Sequence, residues 1–205
     1  MIFFRLKIEK AVNYFKPTVS KISDTGLCVA LSILFSLFSL ITKLIPFEGF
    51  LVIEINWFIY IYLILRTNLF YTLIGVTAAS WLRLAYFPGS EPIGVCVLWL
   101  ADFVEIILVD MLFYIILKSK DNKEKKFAFL KLRAKIMFFI LFVVPSAICA
   151  SIMCMFNYFI FLDIYGVSGL KHSSHFFWIL TGFIICKYYV NLLIFLATQR
   201  ALKYL

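Results

Sequence analysis

IGVCVLWLADFVEIILVDMLFYIIL, residues 93–117, is the stretch that decides the fold. About 20 apolar residues at 1.5 Å each cross the roughly 30 Å hydrocarbon core of a bilayer. This run is long enough, and it sits between Pro92 and Lys118. It carries three carboxylates, Asp102, Glu105 and Asp110. An ionisable group inside a span costs about 2.5–3.5 kcal/mol on insertion scales, so each marks a pairing or a site. Asp102 and Glu105, three positions apart, share one helix face.

Five further apolar runs flank this one: Gly26–Ile45, Phe50–Leu65, Leu69–Leu84, Ile136–Leu162 and Phe176–Thr198. The expected fold is therefore an all-α membrane protein with six transmembrane helices, spans one to six. Residues 1–205 form a single integral membrane domain, with residues 1–24 as a cytoplasmic interfacial segment and 26–199 as the six-helix bundle. The composition agrees. Of 205 residues, 64% are hydrophobic and only 15% charged, against about 25% charged in soluble domains. That excludes a soluble globular enzyme, a disordered tail and a secreted disulfide scaffold. Cys28, Cys96, Cys149, Cys154 and Cys186 all lie within apolar runs and read as small buried hydrophobes.

The net charge of +9 follows the membrane and not a nucleic-acid partner. Sixteen of the 20 basic residues fall on one side of the expected spans, three (Lys43, Arg83, Lys171) on the other, and Lys187 lies inside span six. The positive-inside rule then places both termini in the cytoplasm of a multi-pass protein of the cell membrane. Phe4, Ile8, Val12 and Phe15 recur at helical spacing, with Arg5, Lys7 and Lys10 off that stripe. This predicts a short amphipathic N-terminal helix on the inner leaflet, in contact with lipid and ended by Pro17.

Lys187, with Asn191 one turn on, is the expected partner of Glu105 or Asp110. These groups read either as a structural ion pair or as the floor of an outward pocket. Glu54, Asn56, Trp99, Asn157, Tyr158 and Trp178 lie near the same outer end and are candidate pocket residues. An aromatic-lined cleft with a few polar groups suits a flat heteroaromatic ligand, whereas an interfacial belt accounts for the same aromatics. No phosphate loop, HExxH or GxSxG motif occurs, so no enzyme activity or cofactor is expected. His172 and His175 alone do not make a metal site, and none is assigned.

Phe156-Asn157-Tyr158-Phe159-Ile160-Phe161-Leu162-Asp163-Ile164-Tyr165-Gly166 resembles the end of span five in riboflavin-type substrate-binding S components of energy-coupling-factor vitamin transporters. Asp163 stands where that motif carries proline. The span-six stretch P-F-N-x-x-K-G of riboflavin-type members is Phe176–Gly182 here, without the asparagine and lysine. Gly26 and Ala30 match the two small residues at the cytoplasmic end of span one, which in this family pack on the coupling subunit. The resemblance implies a binding subunit for a vitamin or related micronutrient. Its cargo would sit between spans four, five and six under the loop Thr42–Asn56. A transmembrane coupling subunit and two ATPase subunits would drive import. A ligand-free membrane scaffold or assembly protein, a proton-coupled carrier and a membrane enzyme are the other readings of the same residues.

Overall fold

The computed structural model describes residues 14–38, 55–86, 92–117, 132–161, 163 and 174–198. Among these the chain is almost entirely helical: α1 (Val19–Phe38), α2 (Trp57–Arg66), α3 (Leu69–Tyr86), α4 (Pro92–Leu117), α5 (Leu132–Leu141), α6 (Val143–Phe156) and α7 (Ser174–Thr198). A π-helical segment, Asn157–Phe161, continues α6. Four stretches are long and apolar enough to cross a membrane: Val19–Leu37, Pro92–Ile116, Lys135–Ile160 and Phe177–Thr198. They give the chain the character of a membrane-embedded protein.

The break between α5 and α6 falls at Phe142, three residues before Pro145. Proline has no N–H, so the carbonyl of Leu141 cannot receive the usual bond from position 145. The ladder resumes at once: the Phe142 N–H bonds the Phe138 carbonyl at 2.9 Å and the Ser146 N–H bonds the Phe142 carbonyl at 3.3 Å. The two pieces together take the place of expected span five.

α1 begins at Val19, seven residues before the apolar run starts at Gly26. The first turns of α1 therefore fall within the stretch 1–24 expected to be an interfacial segment. Residues 1–13 of that stretch lie outside the described residues. Tyr14 and Phe15 are helical and the helix is interrupted at Pro17. The Thr18 hydroxyl then accepts the Lys21 N–H at 3.3 Å, a cap that starts the new helix. The charges in the first turns of α1 are matched: Lys21 donates to the carbonyls of Tyr14 and Lys16, each at 3.3 Å, and Asp24 pairs with Arg66 at 2.7 Å.

α2 is shorter than expected, opening at Trp57 and not near Phe50. Ten residues rise only about 15 Å, half a bilayer. Asn56, just ahead of it, is buried and donates to the hydroxyls of Ser36 (3.0 Å) and Ser32 (3.4 Å), while Ser32 shares a 2.7 Å hydrogen bond with the Tyr60 hydroxyl. The N–H of Phe58 is capped from far along the chain by the Asn191 side-chain oxygen at 3.2 Å. Thr67 and Asn68 turn the chain into α3. The Asn68 side-chain oxygen caps the Tyr71 N–H at 3.1 Å, and its amide donates to the Tyr14 carbonyl at 2.8 Å.

These contacts gather one end of the bundle. The start of α1 meets the end of α2 through Asp24 and Arg66, and α3 starts against Tyr14 and Phe15. The last residue of α7, Thr198, accepts a 2.6 Å hydrogen bond from Tyr62. Gly75 of α3 allows a close three-helix approach. A Cβ there would stand 3.1 Å from Leu63 and 3.5 Å from Thr25. The core is rich in aromatic rings, with Phe113 stacked on Phe138 at 4.6 Å and Trp57 wedged 5.5 Å from both Phe142 and Tyr188.

Candidate functional site: a buried acid–lysine cluster

α4, α6, α7 and the first turn of α2 enclose one polar group in this apolar core. α4 packs on α6 and α3, and α6 packs on α7, so the inward faces of α4, α6 and α7 converge. The helical period turns Ala101, Asp102, Glu105, Ile106 and Val109 of α4 inward together, and all are buried. α6 contributes Ser146 and Cys149, α7 contributes Lys187, Tyr188 and Asn191, and α2 contributes Trp57.

The partners within the cluster are unequal. Asp102 accepts a hydrogen bond from the Tyr188 hydroxyl at 3.1 Å. Lys187, buried on the same helix, lies within electrostatic reach of Asp102 and Glu105, with Arg83 of α3 acting on Asp102 and on Lys187. Asn191 donates to the Lys187 carbonyl at 2.9 Å, so one amide joins the lysine turn to the cap of α2. Ser146 is committed to the Phe142 carbonyl at 3.0 Å and Cys149 to the Ala101 carbonyl at 3.4 Å. Glu105 is fully buried beside Cys149 and Ser146, and among the described residues neither of its carboxylate oxygens has a hydrogen-bond partner. The indole N–H of Trp57 is likewise buried and unsatisfied. Such groups cost about 1–3 kcal/mol each in a protein interior, more when charged.

Among the residues predicted from sequence, Asp102, Glu105 and Lys187 are thus brought together. Asp110 is not part of this group. It lies two turns further along α4, within reach of Tyr14 at the other end of the bundle, so Lys187 faces the two outer carboxylates. Asn56 is held by Ser32 and Ser36 at the entry to α2. Trp99 is half-buried on the α3 side, where its indole N–H donates to Thr77 at 3.0 Å and its ring adjoins Phe103 and Trp81. Tyr158 is exposed and packs on Phe159 and Phe177, and Trp178 is 77% exposed. Both lie at the surface and not among the buried side chains of the cluster. Glu54, His172 and the N-terminal part of the loop Thr42–Asn56 lie outside the described residues, and of Asn157 only the π-helical backbone is described.

Gly26 and Ala30 lie on an exposed stripe of α1 with Val19, Ile22, Leu27 and Leu34. A Cβ at Gly26 would meet nothing within 4 Å.

Sequence reasoning missed Trp57, Tyr188, Ser146 and Cys149. The one available signal was register: Tyr188 adjoins Lys187, and Ser146 and Cys149 lie three apart, on one helix face. Among the described residues, no group of three His, Cys, Asp or Glu side chains is placed to hold a metal ion. No protein-family model, no curated protein and no solved structure matches the chain.

Proposed function

We propose that this protein is the substrate-specific binding subunit of an energy-coupling-factor type uptake transporter for a vitamin or related micronutrient. The observation that carries the reading is the cluster itself. Two helices, α4 and α7, bring two carboxylates and a lysine into the apolar core, and Glu105 is left there without a hydrogen-bond partner among the described residues. Lipid interiors offer no water to such a group, so an ionisable residue retained there marks a functional site by default.

Two further features support it. α2 spans only about half a bilayer and opens beside Tyr188 in the core, an arrangement that short or discontinuous helices share with midplane substrate sites. The stripe around Gly26 and Ala30 presents small residues, which let a partner helix approach closely, and none of the described residues covers Gly26. In this reading α1, α2, α3, α4, the α5–α6 pair and α7 are the six spans, and both termini face the cytoplasm. The stripe docks on the coupling subunit. The sequence holds no phosphate loop, so two partner ATPases supply the energy and the chain itself catalyses nothing.

The direct test is uptake. Cells expressing this chain with a coupling subunit and its two ATPases should accumulate one labelled water-soluble vitamin, and should lose that uptake when the ATPases are inactivated. Ligand-independent assembly with other membrane proteins, without uptake of or thermal stabilisation by any vitamin, would replace this reading with that of a scaffold.

A further inference from the structure

We propose that Glu105 is the seat of a protonated nitrogen on the cargo, and that the indole N–H of Trp57 donates to an acceptor on the same molecule. The inference rests on the binding-subunit reading and adds the chemical class of the ligand: a cation such as an amine, amidinium or protonated aminoheterocycle, with an acceptor nearby.

Glu105 and Trp57 are the buried side chains whose polar atoms lack a partner among the described residues, and they have opposite polarity. One is an acceptor carrying two oxygens; the other is a neutral donor that cannot accept. Both adjoin Tyr188. Its ring lies 5.5 Å from that of Trp57, and its hydroxyl holds Asp102, one turn before Glu105 on the same face of α4. The proposed ligand lies at this junction, beside Tyr188.

Charge decides which ligand. Around Glu105 stand the Cys149 and Ser146 side chains, themselves committed to backbone carbonyls, and the charges of Asp102 and Lys187. Asp102 already has the Tyr188 hydroxyl, Lys187 and, from α3, Arg83. With Arg83 and the Tyr188 hydroxyl acting on Asp102 as well, Glu105 is the carboxylate that has only the shared Lys187 ammonium in reach among the described residues. An anionic cargo would meet two carboxylates in a low-dielectric core, and a neutral one would leave a buried carboxylate without charge compensation. A cationic donor removes both costs and forms the short, charge-assisted kind of hydrogen bond. A metal ion is not the fit, because no third ligating side chain joins the two carboxylates among the described residues and the Cys149 thiol is turned to the Ala101 carbonyl.

The test uses the full chain in lipid nanodiscs, with thiamine and pyridoxamine as cationic probes, riboflavin as a neutral one and biotin as an anionic one. Thermal shift and calorimetric titration give affinity, and native mass spectrometry identifies any molecule that co-purifies. A cationic probe or a cationic co-purified molecule is expected. Glu105→Gln should weaken its binding about tenfold or more, the loss for one charge-assisted bond. Trp57→Phe should weaken it by a smaller factor. Binding of a neutral or anionic molecule instead, or cation binding that Glu105→Gln leaves unchanged, overturns the cation seat while the transport reading stands. If no probe binds and nothing co-purifies, both fall. Should Glu105→Gln fail to fold, the charge class bound by the unaltered chain decides by itself.

Discussion

At the scale of single residues, the two carboxylates of α4 are built for different work. Asp102 has the Tyr188 hydroxyl at 3.1 Å and Lys187 within reach, so it resembles a packing pair. Removing one partner of such a buried pair costs about 3–5 kcal/mol, because the other charge is left alone. Asp102→Leu should therefore lower the thermal midpoint of the ligand-free protein sharply. Glu105 has no hydrogen-bond partner among the described residues to strand. Glu105→Met removes an unsatisfied group and keeps the side-chain volume, and should raise ligand-free stability, by about 1–3 kcal/mol. Detergent-solubilised midpoints of the two variants, measured without ligand, check the contrast. Equal destabilisation would make both carboxylates structural. Asn191 gives a third case. It caps the Phe58 N–H and holds the Lys187 carbonyl, so Asn191→Leu should cost about 1–2 kcal/mol.

At the scale of elements, two glycines separate internal packing from an outward face. At Gly75 a Cβ already crowds Leu63, so Gly75→Leu must push α3 away from α2 and α1. Overpacking of this kind costs about 1–3 kcal/mol or more, and folded yield should fall. Gly26→Leu meets no neighbour, and its folded yield and ligand affinity should match the unaltered protein. Size-exclusion profiles of the two variants, run side by side, measure this directly. The elements themselves were legible where apolar length alone sets them. α4 runs Pro92–Leu117 and α7 runs Ser174–Thr198, each within two residues of its apolar run. α1 starts ahead of its apolar run because the folded chain satisfies Lys21 and Asp24 with the carbonyls of Tyr14 and Lys16 and with Arg66, which the sequence alone does not reveal. α2 was misread because a run of apolar residues does not reveal that Asn56 is pinned by two serines of α1. In the site, Asp102, Glu105 and Lys187 stood out as charges in oil. Trp57 and Tyr188 did not, since in a chain that is 19% aromatic a ring says nothing of which way it faces.

At the scale of the whole molecule, the bundle has one end where the start of α1, the end of α2, the start of α3 and the end of α7 are joined by hydrogen bonds and an ion pair. In the proposed topology that end faces the cytoplasm, as the positive-inside asymmetry suggests, and the mouth of α4 faces outside. The assignment makes an accessibility prediction. With the five native cysteines changed to alanine, Ile93→Cys at the start of α4 should react with a membrane-impermeant maleimide on intact cells. Val19→Cys, highly exposed at the start of α1, should react only after the membrane is opened. The same orientation sets where force enters. A coupling subunit gripping the stripe of Gly26 and Ala30 would act on α1, which touches α2 through Ser32–Tyr60 and Asn56, and α2 in turn carries Trp57 into the cluster. Gly26→Leu should then abolish assembly with the coupling subunit and uptake together, with ligand affinity in the isolated chain unchanged. Co-purification of the tagged coupling subunit measures the first and calorimetric titration the last. Normal assembly of Gly26→Leu would move the docking surface elsewhere on the bundle, and a parallel loss of affinity would mean that α1 is part of the binding site and not its handle.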